Sequence, residues 1–518
     1  MIKRILGAAG LLIFIFTVGA FAQNKKSLSL EDCFVSAMQN NLKIAAEVLN
    51  PELADLSVLR ANEKFMPTLS FTYSNEETNS ASYSWIDAAG QVNSASRDYE
   101  VSLSQYIPTG GTLTTFLSSY RTETNRSFQT INPRYGSTLS FNFTQPLLRN
   151  FGFKTSRKEI IIAKNNREVT EKQFQDALMD ILFNVEEAYW NLVYSIENLK
   201  VREQSLQLAR DLLKENQRKV EVGTMAPIDL YTAQAEVATR EADILQAEAL
   251  VKNSEDRLKS IINISEAENG EDVELFPTDK PRFEERDIEL DTALAIALEK
   301  RPDLKAAQID MKNKELNVSF AANQLLPELN FSVSYWSPGI SGDQILYQDN
   351  DAFSRIVVGK VPGASTDALK DALNFKYNNW SVGLTLRFPL STVLSRAEYA
   401  QTKVSLKQAD FNLRDQERQM FLEIKTAVRA VQLGYKRVQA YTAARQLAEK
   451  KLEAEGEKFN VGKSTNYLLL QYQRDLADAR SAELKATVDY TLSQAYLDKV
   501  LGTMLESKNI QISDIGLK

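Results

Sequence analysis

The sequence lacks histidine altogether and has a single cysteine, Cys33, among its 518 residues. Without an imidazole there is no histidine base, no histidine metal ligand and no Ser-His-Asp or Cys-His catalytic group. A single cysteine excludes an internal disulfide and a cysteine-rich zinc cluster. The chain also has no glycine-rich phosphate loop and no nucleophile elbow. We therefore predict no catalytic residue, no cofactor and no bound metal.

Glycine and proline are also sparse, with 20 and 13 residues respectively, which favours long uninterrupted elements. The formal net charge is −7, so the chain has no general attraction to nucleic acid, and none is predicted as a partner. Glu186 and Glu187 are neighbouring acids, but adjacent residues on a helix do not face each other. We interpret them as solvated charges.

The first 22 residues have the pattern of a secretory signal. Lys3 and Arg4 precede an apolar run from Ile5 to Val18, and Ala20-Phe21-Ala22 is a small-x-small cleavage site. The alternative is a retained anchor, but the run is shorter than the ~20 residues of a membrane-spanning helix.

No later stretch approaches ~18 consecutive apolar residues. We expect an exported protein that either stays soluble or enters a membrane as strands. Cys33 follows Leu30-Glu31-Asp32 rather than small residues, so it is not predicted to carry a lipid.

A shift of 260 residues superimposes one half of the sequence on the other without a gap. Leu30 falls on Leu290, and Pro67-x-Leu69-x-Phe71 falls on Pro327-x-Leu329-x-Phe331. A period near half the chain indicates a duplicated domain rather than a solenoid of short repeats. The predicted segments are a signal peptide (1–22), a first repeat (23–262), an acidic linker (263–289), a second repeat (290–502) and a C-terminal tail (503–518).

Both repeats contain long helical patterns. The predicted helices are Leu30–Phe65 with a kink or break at Pro51, Ser156–Val222, Pro227–Ile262, Leu290–Leu325, a long helix ending at Phe459, and one ending at Leu501. In the first long helix, apolar residues recur at alternating spacings of three and four, as in a coiled-coil seam: Phe174, Leu178, Ile181, Val185, Ala188 and Leu192. Such a helix spans on the order of 100 Å and needs partner helices to be stable.

Four segments alternate strictly between apolar and small polar residues: Thr68–Ser74, Leu139–Thr144, Glu328–Tyr335 and Trp380–Phe388. Their lengths approach the ~9–11 residues with which a tilted strand crosses a bilayer. A face of apolar residues opposite a face of Ser, Thr and Asn is typical of a water-filled membrane barrel. The alternative is a soluble antiparallel sheet with one buried face.

Four strands cannot close a barrel, because the smallest membrane barrels have ~8. Several copies must therefore pool their strands. A further hairpin candidate consists of Tyr99–Leu103 and Thr112–Tyr120, joined by the turn residues Pro108–Gly111. This hairpin either widens the barrel or stays outside it.

Several short sequence motifs occur in a specific order along the chain, and most of them occur twice. They are Leu30–Cys33 through Asn40-Asn41 with a repeat from Leu290, Pro67–Ser70 and Pro327–Asn330, Gln145–Leu147 and Phe388–Leu390, Ala188–Trp190, and the two Val-Gly turns. On these residues the sequence resembles the TolC-like outer-membrane efflux protein family across nearly the whole mature chain.

The resemblance implies a mixed fold. Long α-helical coiled-coil hairpins would form a periplasmic tunnel, and membrane strands would join in one barrel shared by a homotrimer in outer-membrane lipid. It also implies docking on a periplasmic adaptor protein and an inner-membrane transporter. The implied adaptor contacts are the hairpin tips, Val222, Gly223 and Thr224 in the first repeat and Val461, Gly462 and Lys463 in the second.

The family pattern also places an acidic constriction just after the second tip. Here Leu468 and Gln471 occupy the positions of the acids, and the matching acid occurs only in the first repeat, as Asp229. Either a ring of three Asp229 side chains partly replaces the gate, or Asp229 is a solvated acid at a helix start after Pro227.

Two functions from different classes follow from the sequence. The first is a passive channel of a tripartite efflux or type I secretion system. The second is a periplasmic coiled-coil scaffold or adaptor that keeps the seams and folds the alternating segments into a soluble sheet.

Overall fold

The computed structural model of the chain describes residues 25–82, 90–127, 129–264, 273–281, 283–354 and 356–511. The predicted signal peptide lies outside these residues. The chain forms two compact units, one from Met1–Glu47, Ala177–Lys300 and Phe421–Lys518, the other from Val48–Asp176 and Arg301–Met420. The repeat and linker boundaries given above remain predictions.

Helices make up most of the described chain. They are α1 (Leu30–Asn40), α2 (Leu42–Glu63), α3 (Phe153–Ser156), α4 (Lys158–Glu221), α5 (Pro227–Ile262), α6 (Leu290–Lys300), α7 (Pro302–Asn323), α8 (Ser365–Leu373), α9 (Val393–Asn460), α10 (Asn466–Val500) and α11 (Met504–Ser507). The predicted bounds of α5 are confirmed, and the predicted ends of α4, α9 and α10 are confirmed to within one residue.

The helix expected to break at Pro51 breaks instead at Asn41. Pro51 lies inside α2, whereas Asn41 has an extended backbone and ends α1. Its side-chain oxygen accepts hydrogen bonds from the backbone N–H groups of Lys43 and Ile44, which lie in the first turn of α2. The matching helix of the second repeat also divides, where Pro302 begins α7. Proline suits the first helical position because it lacks the N–H donor that has no partner there.

The predicted seam is buried. In the first unit, the side chains of Leu178, Ile181, Val185, Ala188 and Leu192 on α4 are at most 4% exposed. On α9, Ile424, Ala427 and Val431 are at most 1% exposed. Burial of these stripes is what stabilises helices far longer than a lone helix in water tolerates.

Within the described residues, the strands are β1 (Lys25–Leu28), β2 (Thr68–Ala81), β3 (Gln91–Tyr106), β4 (Thr112–Thr124), β5 (Ile131–Pro146), β6 (Glu274–Pro277), β7 (Glu328–Tyr347), β8 (Val357–Val361) and β9 (Asn379–Arg387). In the first unit, β1 and β6 form a parallel pair. The second unit holds a seven-stranded sheet in the order β2-β3-β4-β5-β7-β8, and β9 pairs with β7 beside the start of that strand. Every pairing in this sheet is antiparallel.

The additional hairpin belongs to this same sheet. β3 and β4 lie between β2 and β5, and thirteen residue pairs join them from Ser94–Thr124 to Tyr106–Thr112. Their connecting turn is held by a hydrogen bond from the Ile107 N–H to the Gly111 carbonyl at 2.7 Å. Among the residues that the structure describes, this one sheet therefore contains six strands of nine residues or more.

Candidate functional site

The register places the predicted apolar residues on one continuous face of the sheet. Residues paired across an antiparallel ladder project to the same side. Leu69 pairs with Leu103, Leu117 with Leu139 and Val333 with Val382. The apolar residues on this face, which also carries Gln105, Thr115 and Gln145, are Leu69, Phe71, Tyr73, Tyr99, Val101, Leu103, Leu113, Leu117, Leu139, Phe141, Phe143, Leu329, Phe331, Val333, Tyr335, Trp380, Val382, Leu384 and Leu386.

The opposite face is mostly small and polar. It includes Ser70, Thr72, Ser74, Ser102, Ser104, Thr114, Ser118, Ser140, Asn142, Ser332, Ser334, Ser381, Gly383 and Thr385. The hydroxyls of Ser70 and Ser102 hydrogen-bond across β2 and β3 at 2.6 Å. Such a surface is compatible with water, whereas the apolar face is not.

Much of the apolar face is exposed in a single copy of the chain. The side chains of Phe71, Trp380 and Leu384 are 68%, 72% and 65% exposed. Contiguous exposed apolar surface of this kind marks a contact with lipid or with another protein.

Helix α8 covers part of the apolar face. Ala368 and Ala372 are fully buried, and the Ala368 carbonyl lies so close to Gly339 on β7 that a Cβ there would clash with it. Phe375, just after the helix, stacks on Phe141 with ring centroids 6.4 Å apart. The helix covers β5 and β7 and leaves the apolar residues of β2 and β9 exposed.

The two hairpin tips in the first unit have the same backbone geometry. Gly223 and Gly462 have φ values of +76° and +74°. At the first tip the N–H of Thr224 donates to the Lys219 carbonyl, and at the second the N–H of Lys463 donates to the Lys458 carbonyl, each at 2.8 Å. These are Schellman caps, in which glycine provides the left-handed residue that ends the helix.

Contacts between the two hairpins hold the tips side by side. The Nζ atom of Lys219 lies 4.6 Å from the centre of the Phe459 ring, and Leu212 packs in one cluster with Phe459 and Leu469. The side-chain amide of Asn466 donates to the Asp229 carbonyl at 3.1 Å, which joins the starts of α5 and α10.

The predicted tip residues are exposed in this arrangement. Val222 and Val461 are 73% and 70% exposed, and Gly223 and Gly462 have open space where a Cβ would lie. Thr224 and Lys463 are also exposed. Their role in binding an adaptor remains a prediction.

Apolar residues just past each turn were missing from the sequence-based set. Ile228 and Tyr231 follow the first tip, Tyr467 follows the second, and each is more than 60% exposed. The signal available in the sequence was the short distance of these residues from the Val-Gly turns. With the two valines they form an exposed apolar group on the tips.

The constriction candidates lie at the starts of α5 and α10. Asp229 is half-buried in the first turn of α5, where a negative charge interacts favourably with the helix dipole. Leu468 is half-buried, its N–H donates to the Thr465 hydroxyl at 3.4 Å, and Gln471 is exposed. Whether these residues form a constriction in an assembly remains a prediction.

The interpretation of Glu186 as a solvated charge was wrong. Glu186 is 2% exposed, and its Oε1 atom accepts hydrogen bonds from the Lys508 ammonium at 2.8 Å and from the Trp190 ring N–H at 3.4 Å. Glu187 does lie at the surface, where it pairs with Arg257 at 2.9 Å. Because the two neighbours point to different sides of α4, one is buried while the other is solvated.

None of the helices in the described part of the chain combines the length and apolar character needed to cross a membrane. In the same residues, no group of three or more Asp, Glu or Cys side chains is arranged to hold a metal ion.

Comparison with known proteins places this chain among outer-membrane efflux proteins. The sequence model of the family described as outer membrane efflux protein matches residues 87–263 and 293–503. The outer membrane protein TolC of Vibrio cholerae is 27% identical over 405 residues, which cover 76% of this chain and 83% of that protein.

Solved structures share the fold at low sequence identity. The Campylobacter jejuni CmeC outer membrane channel is 16% identical with a TM-score of 0.63, covering 93% of this chain and 90% of CmeC. The outer membrane protein VceC of Vibrio cholerae is 14% identical with a TM-score of 0.61, covering 91% of this chain and 96% of VceC. Because the family model matches more than half of the sequence, this chain belongs to the outer membrane efflux protein family.

Proposed function

We propose that the chain is a homotrimeric outer-membrane channel, a passive conduit that carries cargo from a periplasmic adaptor and an inner-membrane transporter to the exterior. The strands of three copies share one barrel in outer-membrane lipid, and the long helices form a tunnel in the periplasm. The channel serves a tripartite efflux or a type I secretion system. Family membership and the fold shared with the CmeC outer membrane channel support this proposal.

One observation carries the proposal: an apolar face that extends over six strands, opposite a face that is mostly small and polar apart from Phe116 and Trp336. In a membrane barrel the outward residues contact lipid and the inward residues line a water-filled lumen. Six strands from one copy fall short of the ~8 of the smallest membrane barrel, so copies must contribute to a common wall.

The hairpin tips are the proposed docking surface for the adaptor. Val222 and Val461 expose apolar side chains beside backbone turns that only glycine adopts without strain. An exposed apolar group of this kind suits a protein partner. The channel performs no chemistry in this proposal, and the energy for export comes from the partner transporter.

Purified protein in planar bilayers tests the conduit. We expect discrete conductance steps from trimers extracted with detergent. Fractionation of the cell envelope supplies the second measurement: the channel should stay in the membrane through a carbonate wash. Silent bilayers together with release by carbonate would instead support the periplasmic scaffold.

A further inference from the structure

The sheet of the second unit has two long edges with no neighbouring strand among the described residues. β2 pairs only with β3, and β9 pairs only with β7. All fourteen residues of β2 are exposed. The short strand β8 pairs with the same edge of β7 as β9 does, but at the other end of β7, from Gln344 to Tyr347. In lipid the N–H and C=O groups of such edges must find partners, because the hydrocarbon offers none.

The two edges are suited to each other in direction. Each strand in the series β2, β3, β4, β5, β7 and β9 is antiparallel to the one before it. With six strands in the series, β9 runs opposite to β2. A second copy that adds its β2 beside β9 therefore continues the antiparallel order. Repeating this head-to-tail contact around an axis gives a closed ring with no free edge.

The apolar residues of the six strands form a band across the sheet, here called the apolar belt. This belt is inclined to the strands as expected in a barrel whose strands are tilted. On β2 the belt is centred on Phe71. When the paired residues are followed from strand to strand through β3, β4 and β5, Phe71 corresponds to Ser337 on β7. On β9 the belt is centred on Gly383, which lies opposite Ser332 on β7. The belt thus moves five residues along β7 over five strand-to-strand steps.

This shift of one residue per strand corresponds to a definite tilt. With ~3.3 Å per residue and ~4.8 Å between strands, the belt is inclined to the hydrogen-bond rungs by about 35°. Membrane barrels tilt their strands by ~35–45° so that the lipid belt stays level. The centres on the strands between β2 and β9, Val101 on β3, Thr115 on β4 and Phe141 on β5, correspond to Ser337, Tyr335 and Tyr335 on β7, so they follow this average slope to within one residue.

We propose that β2 of each copy pairs with β9 of the next, so that all six strands enter the wall and a trimer forms an eighteen-stranded barrel. This inference rests on the proposed function, from which it takes the number of copies. Continuing the slope by one more step places Phe71 of one copy opposite Leu384 of the next. In the same register Ser70 faces Thr385 on the lumen side.

The proposal has a consequence for the width of the pore. Barrel diameter grows roughly linearly with strand number, so eighteen strands give a barrel about 1.5 times as wide as the twelve that three copies with four strands each would supply. Barrels of ~16–18 strands leave an open aqueous channel. The additional hairpin therefore widens the outer mouth.

Disulfide trapping tests the contact in the full-length protein in membranes. The variant with Cys33→Ala, Ser70→Cys and Thr385→Cys should form covalent dimers and trimers on oxidation, because facing residues of antiparallel strands lie within the reach of a disulfide. The matched control combines Ser70→Cys with Leu384→Cys, whose side chains lie on opposite faces and should not link.

A third pair separates the alternative in which β2 and β3 stay outside the wall. The alternative in which the additional hairpin β3–β4 stays outside keeps β2 beside β9 of the next copy, so the strand count separates that one. A barrel of β4, β5, β7 and β9 alone would bring β4 beside β9 of the next copy, so Thr114→Cys would link to Thr385→Cys. That result, or twelve strands in an electron-microscopy map of the trimer, would overturn the inference. Eighteen strands and the Ser70–Thr385 link would confirm it.

The outcomes also distinguish this inference from the function on which it rests. A conducting trimer without the β2–β9 link would overturn only the eighteen-stranded closure. A monomer that stays in solution without detergent would overturn both.

Discussion

Gly223 and Gly462 end their helices in a conformation that disfavours every residue with a Cβ. Replacing both with valine should cost roughly 1–2 kcal/mol at each turn and change the path of the exposed backbone there. No atom lies within 4 Å of the added Cβ, so we expect folding and trimer assembly to survive. Export of a fluorescent substrate by cells with the matching adaptor and transporter should be lost.

Gly456 provides the matched control, since it lies inside α9 and also has open space at its Cβ position. Gly456→Val should leave export unchanged. If the tip variant exports normally, the tips are helix caps and no more.

Cys33 is a chemically silent thiol in the folded chain. It is fully buried in α1, and burial, with smaller contributions from the charges of Asp32 and Asp279, raises its pKa from 9.0 to about 12. Because only the thiolate attacks electrophiles, a maleimide at pH 8 should label the native protein negligibly.

The same reagent should label the protein fully after denaturation. A Thr224→Cys variant, with its added thiol on the exposed first tip, should react within minutes in the folded state. Rapid labelling of native Cys33 would show that α1 opens readily.

Polar residues differ in how well the sequence predicts their environment. The role of the tip glycines can be predicted from the end of a helical pattern, because a helix cap involves only residues that are close together in the sequence. The burial of Glu186 depends on Lys508, more than 300 residues away in the chain, so no local pattern indicates it. Arg240 is another such case, because its partners lie on three different helices.

At the scale of elements, Arg240 joins α4, α5 and α10. The residue is 3% exposed, and its guanidinium donates to the carbonyls of Ser205 at 2.6 Å and Leu470 at 3.1 Å, and to Glu236 at 3.1 Å. Truncating a buried, paired charge typically costs ~3–5 kcal/mol because its partners remain buried without it. Arg240→Met should therefore speed hydrogen exchange in α5 and α10, while the sheet of the second unit keeps its protection.

Arg210 offers a surface pair between α4 and α5 for comparison. It contacts Glu241 at 2.7 Å, but both side chains are about half exposed. Such pairs contribute ~0–1 kcal/mol, so Arg210→Met should leave exchange almost unchanged. Equal effects from the two variants would contradict a structural role for the buried guanidinium.

Strand segments with a hydrophobic period of two could be predicted, and those without one could not. Trp380–Phe388 carries such a period, and β9 matches it to within one residue. β2 continues from the predicted end at Ser74 to Ala81, because its outer half is polar on both faces and only the ladder with β3 reveals it. Both sides of that hairpin lack the alternation that marks a strand.

At the scale of the whole molecule, the sequence indicated the family and the need for shared strands. The number of strands in the sheet, by contrast, could be counted only from the residue pairing between strands in the structure. The candidate hairpin at Tyr99–Tyr120 was identified, but its place between β2 and β5 is a long-range pairing. Single-sequence periodicity reports which residues alternate, whereas only the pairing reports which strands are neighbours.

The division of the sheet into a lipid face and a lumen face can be tested on adjacent residues of β9. Leu384 lies on the apolar face and Thr385 on the polar face, and both are exposed in a single copy. A charged residue on the lipid side of a barrel costs ~2–4 kcal/mol near the middle of the membrane, and a trimer carries three copies of it. In the lumen, the same charge remains hydrated.

Leu384→Arg should therefore sharply reduce the fraction of protein that resists extraction by carbonate, whereas Thr385→Arg should assemble normally and change only the ion selectivity of the conductance. The two substitutions introduce the same residue one position apart, so β-propensity and expression burden are closely matched. Equal loss from both variants would mean that the two faces of the sheet do not meet different solvents. The alternating pattern would then belong to a soluble sheet.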